Sequence, residues 1–430
     1  MTLINPPEWG IEPVPNEQKK LRGRDYFILW SSLGVGLLVL SAGSFLADAS
    51  ITDAILAIVV GSLVGSALLA LAGKIGSDGG IPSLISMRPS LGLRGTYVPA
   101  ILNVIQLVGW TTFEIMIMSR AADILTGKSL PYFAWTAIFG IITAFLGIIG
   151  PLAVARQWLG KFAVWIAYGS SAVIIASLVM SGAPERLLAH TSHSLSFFSA
   201  LDLVIAMPVS WMPLAADYNR FSKRSKGAFM GTMVGFAVTN ILFYFGGLLI
   251  GSSDVVAIIV SIQAIFSGFL MLLLLVDEAD NAFADVYSAA LSTQNIFPKV
   301  LQKYLVIGFT ALSAALATII TIENYETFLL LISAVFVPLF GVVLSDYYIL
   351  KRKYTPDAIY TQKGAPTNPR ALIAWSTGAL LSLVLSPLSP IYVPQLPPIG
   401  ATIPSLVSAS LIYVVLMKAS FRGQSRIAAR

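Results

Sequence analysis

Apolar runs alternate with short polar connections along almost the whole chain. Twelve runs reach about 18 residues, the length that carries a helix across the hydrocarbon core of a bilayer. They lie near 26–47, 54–73, 97–123, 132–152, 160–181, 200–216, 229–250, 263–291, 304–321, 326–349, 371–388 and 399–417. Lipid offers the backbone no hydrogen-bond partners, so each run is expected to be helical. The pattern thus predicts an all-α integral membrane protein of about twelve transmembrane helices. Two runs are irregular: the sixth is short, and the eighth carries acids in its middle.

Placing the N-terminus in the cytoplasm puts all 27 Lys and Arg on the inner side except Arg120, Lys128 and Arg186. Basic residues favour cytoplasmic loops, and a wrong span count would scramble that alternation. The expected layout is a cytoplasmic tail (1–25), a ten-helix core (26–349, in halves 26–181 and 200–349), a cytoplasmic loop (350–370), two accessory helices (371–417) and a second cytoplasmic tail (418–430). A multi-pass protein of the cytoplasmic membrane with both termini inside follows. Asn5 to Arg24 is polar and Pro-rich, without a cleavable-signal pattern.

Composition narrows the function. Only 11% of residues are charged, about half the share of a soluble domain, so the net charge of +6 reflects loop topology rather than nucleic-acid binding. With no cysteine, and with His190 and His193 as the only histidines, thiolate chemistry and a His-rich metal centre are not expected. No nucleophile–base pair stands out, so an enzyme is not expected either.

Gly34, Gly36 and Gly43 interrupt the first run, and Pro208 and Pro213 the sixth. Broken helices in matching positions point to an inverted-repeat transporter, here runs 1–5 and 6–10; Gly and Pro are also common in membrane helices generally. An unwound stretch is expected between Pro208 and Pro213, beside Ser210 and Trp211.

Ionisable residues inside apolar runs mark pathways or sites. Gln106, Trp110 and Glu114 stand at i, i+4 and i+8, on one helix face. An indole face beside a carboxylate suits a flat, amino-bearing heterocycle; the plainer alternative is a Trp at a helix interface and a Glu paired with a neighbour. In the eighth run, Asp277, Glu278, Asp280, Asn281 and Asp285 either end the helix in a cytoplasmic loop or lie within it. Continuation is expected, because no Gly or Pro follows until Pro298. Near midplane the acids could bind a cation, carry a proton or hold the substrate. Asp217 and Arg220 are expected to form a structural ion pair. Asn240 is expected to bond between helices, and Glu323, Asn324 and Glu326 to lie in an external loop.

At these residues the chain resembles the nucleobase:cation symporter-1 family. The resemblance runs through Glu12-Pro13-Val14-Pro15, Gly79-Gly80-Ile81-Pro82, Arg88, Gly92-Leu93-Arg94-Gly95 and Val108-Gly109-Trp110. It continues through Asp217-Tyr218-Asn219-Arg220-Phe221, Asp280-Asn281-Ala282, and Pro338, Gly341 and Asp346-Tyr347. Ser210-Trp211-Met212-Pro213-Leu214 and Asp277-Glu278-Ala279-Asp280-Asn281 are most similar to its cytosine and hydroxymethylpyrimidine branch.

The resemblance implies a leucine-transporter-like fold with a 5+5 inverted repeat, and a midplane site between helices 1, 3, 6 and 8. It implies a monomeric symporter that imports a pyrimidine-type nucleobase with H+ or Na+. Trp110 would stack on the ring and Glu114 would take its amino group. Trp211 would close the far side, while Gln106, Asn281 and Ser210 complete the pocket. Asp277, Glu278 or Asp280 would carry the coupling charge, or Na+ would sit near Val35, Leu38 and Asp277. Two departures weigh against sodium: acids stand near the positions of family hydroxyls in helix 8, and Glu114 replaces a neutral residue. An amino-acid symporter on the same fold and a non-transporting receptor are the alternatives. Membrane lipid is the only other partner expected.

Overall fold

The computed structural model describes residues 10–149, 164–189, 194–252, 255–263, 268–321, 325–352, 354, 359–360, 366–387, 389, 391–396 and 398–428. Each apolar run holds a helix. The first contains α1 (Gly23–Ser32) and α2 (Leu37–Ser44). Then come α3 (Ile51–Gly79), α4 (Tyr97–Leu125), α5 (Tyr132–Ile149) and α6 (Val164–Met180). The sixth run contains α7 (Phe197–Ser210) and α8 (Met212–Asn219), and the seventh is α9 (Ser225–Ile250). A short α10 (Val255–Gln263) precedes α11 (Phe269–Gln294), α12 (Gln302–Leu316) and α13 (Tyr325–Leu344). The chain ends with α14 (Pro369–Leu385) and α15 (Thr402–Ala428).

Among the described residues, seven spans are long and apolar enough to cross a membrane unaided, and α1 with α2, bent by 66°, can make an eighth. α11 runs unbroken through its acids, as expected, and those acids dilute its apolar character.

The helices sort into two packed groups. In one, α1, α2, α3, α7, α8 and α9 meet; in the other, α4, α5, α11 and α12. α13 bridges from α7 to the accessory pair α14 and α15. Glycine sets the closest approach in the first group. A Cβ on Gly247 of α9 would lie 2.0 Å from the Leu40 carbonyl oxygen of α2, and one on Gly231 would lie 2.2 Å from that of Gly23 in α1. Such backbone contact between membrane helices requires the smallest residue. Asn240 donates to Ser62 Oγ at 2.9 Å between α9 and α3, the expected interhelical bond.

At the end of the bundle that carries the basic connections, the chain before α1 forms a strap. Val14 N–H donates to the Gly80 carbonyl at 2.8 Å, the Arg220 guanidinium to Gly10 O at 2.8 Å, and Tyr360 Oη to Ile11 O at 2.9 Å. Gly80 holds φ +68° at the end of α3, a left-handed conformation that glycine adopts without strain. Asp217 accepts from Ser83 N–H at 2.8 Å, while Arg220 also donates to Tyr287 Oη at 2.8 Å. The expected Asp217–Arg220 ion pair is therefore not formed; each group ties α8 to a different neighbour. Glu326 lies in the first turn of α13 rather than in a loop; Glu323 and Asn324 lie outside the described residues.

Candidate functional site

The bend between α1 and α2 leaves backbone groups without helical partners, and α11 supplies them. Glu278 accepts the Leu37 N–H at the start of α2, where a negative charge is favoured by the helix dipole. Three residues on, Asn281 Nδ2 donates to the Val35 carbonyl at 2.8 Å. Gly36 lies between them; a Cβ there would stand 3.1 Å from Glu278 Oε1.

α4 faces this junction with the predicted stripe. Trp110 and Glu114 line a small buried cavity together with Glu278, Asn281 and Gly36. Ser210 and Trp211, at the joint between α7 and α8, line its other side. Trp110 is held edge-on by Tyr325 and Phe328 of α13, with ring centroids 5.8 and 5.4 Å away. Trp211 is held edge-on by Trp30 at 6.1 Å. Edge-to-face contacts of this kind fix ring orientation. The cavity measures about 20 Å³, room for about one water. A heterocycle therefore fits only when these walls move apart.

Two predicted residues stand elsewhere. Gln106 Nε2 donates to Asn103 Oδ1 at 2.7 Å and to the Ser210 carbonyl at 3.4 Å, bracing α4 against α7 next to the cavity. Asp280 is buried toward the Ser32 hydroxyl of α1. Asp277 lies in α11, but its side chain is outside the described residues. The unwound stretch expected between Pro208 and Pro213 shrinks to Trp211 alone. Pro213 falls in the first turn of α8, where its missing N–H costs nothing.

Asp285, named among the acids of the eighth run but given no role of its own, also reaches the cavity. It continues the face of Glu278 and Asn281 at i, i+3 and i+7, a helical stripe visible in the sequence. Tyr325 went unnoticed; its hydroxyl donates to the Leu38 carbonyl at 3.0 Å, pinning the start of α13 to α2.

The cavity is rich in hydrogen-bond acceptors. Glu114 Oε2, Glu278 Oε2, Asp285 Oδ2 and Asn281 Oδ1 are all buried without a donor, and among the described residues no Lys, Arg or His lines the wall. Buried polar atoms are normally satisfied, so this site calls for donors or positive charge from whatever enters it.

A family model described as permease for cytosine/purines, uracil, thiamine and allantoin matches residues 13–403. The chain belongs to the nucleobase:cation symporter-1 family. The cytosine permease of Escherichia coli K12 is 23% identical over 429 residues, covering 97% of both chains. The allantoin permease of Bacillus subtilis 168 is 26% identical, covering 84% of this chain and 82% of its own. Among solved structures, the symporter Mhp1 in a closed conformation with bromovinylhydantoin bound has a TM-score of 0.77 at 19% identity, covering 97% of this chain and 96% of its own. MhsT in complex with L-phenylalanine has a TM-score of 0.52 at 15% identity, covering 91% of this chain and 97% of its own.

This nucleobase:cation symporter-1 protein therefore has the leucine-transporter-like fold and is a multi-pass, cation-coupled permease for nucleobase-type solutes. In this permease the carbonyls of Val35 and Leu38, near which sodium was expected together with Asp277, each accept a protein donor, from Asn281 and Tyr325. Among the described residues no cluster of His, Asp or Glu could hold a metal ion.

Proposed function

We propose that this permease imports an aminopyrimidine of the cytosine or hydroxymethylpyrimidine class, driven by protons. The observation that carries the reading is a cavity between two indoles where oxygens of Glu114, Glu278, Asn281 and Asp285 lack hydrogen-bond partners. An aminopyrimidine is flat, and its amino group, together with cytosine's ring N–H or hydroxymethylpyrimidine's hydroxyl, supplies donors to those oxygens. Trp110 and Trp211 would sandwich the ring, and Glu114 would accept from the exocyclic amine. Asn281 and Asp285 would take further N–H groups, and Ser210 would bound the pocket. Gln106 would hold the wall in place.

Glu278 would carry the coupling proton. It joins α11 to the break in the first span, so protonation would weaken its bond to the Leu37 N–H and loosen that joint. Proton coupling is favoured over sodium because α11 presents acids rather than hydroxyls to the break in the first span. The start of α2, which an amino-acid symporter would use to hold a substrate carboxylate, is engaged by Glu278, which favours a cationic or donor-rich cargo. The distribution of Lys and Arg supports cytoplasmic termini in the cytoplasmic membrane, and the reading takes the protein as a monomer.

Reconstituted protein should accumulate labelled cytosine or hydroxymethylpyrimidine under an imposed pH gradient, and a protonophore should abolish this. Uptake that follows a sodium gradient and ignores the protonophore would overturn proton coupling. Competition by amino acids but by no pyrimidine would overturn the substrate class.

A further inference from the structure

A second, larger cavity of about 160 Å³ lies at the end of the bundle away from the basic connections. It forms where the first turns of α7, α13 and α15 meet the last turn of α14. On the scale where one water needs roughly 10–15 Å³, it holds about a dozen water-sized positions. Two carboxylates line it, and they differ. Asp202 is committed to the protein: its oxygens accept the Ala401 and Thr402 N–H groups at 2.5 and 3.1 Å, capping α15. Glu326 bonds to nothing among the described residues, and Asp48 beside it adds negative charge.

A second observation marks the cavity as a site. Ser333, seven residues along α13 from Glu326 and so on the same face, lines it while only 4% exposed, and its hydroxyl has no hydrogen-bond partner. Ser199 and Ser382 add hydroxyls, Leu203 and Leu330 add apolar wall, and among the described residues no Lys, Arg or His contributes. A carboxylate with no partner among the described residues, an orphan hydroxyl and apolar walls suit an ammonium group on a short hydrocarbon.

We propose that this cavity binds a small organic cation, held by the Glu326 carboxylate and the Ser333 hydroxyl, at a site separate from the central pocket. The two cavities share α13. Tyr325 and Phe328 of that helix press on Trp110, while Glu326 and Ser333 face the outer cavity. The inference does not depend on which nucleobase is carried.

The test uses purified full-length protein and n-propylammonium, read by saturation-transfer NMR on the ligand. Saturable transfer is expected, with binding at least fivefold weaker in Glu326→Gln and lost in Ser382→Leu, which fills the cavity from α14. Equal binding in both variants would overturn the site. Loss in Glu278→Gln with retention in Glu326→Gln would place the ligand in the central pocket and also overturn it. Equal transfer to butan-1-ol would show an apolar hole, and saturable, Glu326-dependent competition by sodium chloride would show an inorganic cation site; either overturns the organic-cation assignment. Should Glu326→Gln fail to fold, Ser382→Leu decides alone.

Discussion

At the scale of single residues, the central pocket makes distinct demands on its two glutamates. Glu114 has no protein donor for Oε2, so Glu114→Gln should cost one charge-assisted hydrogen bond to an aminopyrimidine, ~1.5–3 kcal/mol. That is about 10- to 100-fold in affinity, measurable by binding to detergent-purified protein; unchanged affinity would remove Glu114 from the site. Glu278→Gln should instead abolish pH-driven accumulation while substrate exchange across the membrane persists, read by counterflow. Trp110 and Glu114, read from their helical spacing, line the cavity, and so do Glu278 and Asn281, read as polar residues inside an apolar run. Asp285 obeys the same spacing, one turn further along. Asp280 faces α1, through Ser32; a charge's place within a helix does not reveal which neighbour it meets.

At the scale of elements, the bend of the first span followed directly from its glycines, whereas the sixth span kept more helix than its prolines suggested. Two local facts account for this. Pro213 occupies a position that needs no N–H, and Pro208 fits against Gly65, where even a Cβ would meet the proline ring at 2.3 Å. Sequence shows that a proline is present, but not whether the facing helix leaves room for its ring. Gly36 is a testable counterpart. Gly36→Ala would push on Glu278 from 3.1 Å, and should lower transport rate more than protein yield. A transport rate equal to the parent's would mean that this joint tolerates a methyl group.

At the scale of the molecule, the fold class was legible because twelve apolar runs and an alternating charge pattern are global signals. The strap across the basic end was not, because it is built from backbone bonds among distant loops. Arg220 ties that strap to α8 through Gly10. Arg220→Gln should raise the rate at which an impermeant thiol reagent, added on the side of the basic connections, modifies a cysteine introduced at Ser210. The natural chain has no cysteine, so the background is zero; an unaltered rate would show that the strap does not guard the pocket.

The glycine contacts of α9 have a mechanical consequence. Where the backbones of two helices touch, neither can slide without dragging the other, so the first and seventh spans should travel as one piece. Spin labels on α1 and α9 should keep a fixed separation under all gradients, while the distance from either to α4 changes. Gly247→Ala, which sets a methyl 2.0 Å from the Leu40 oxygen, should wedge that piece apart, lowering the melting temperature through overpacking of about 1–3 kcal/mol.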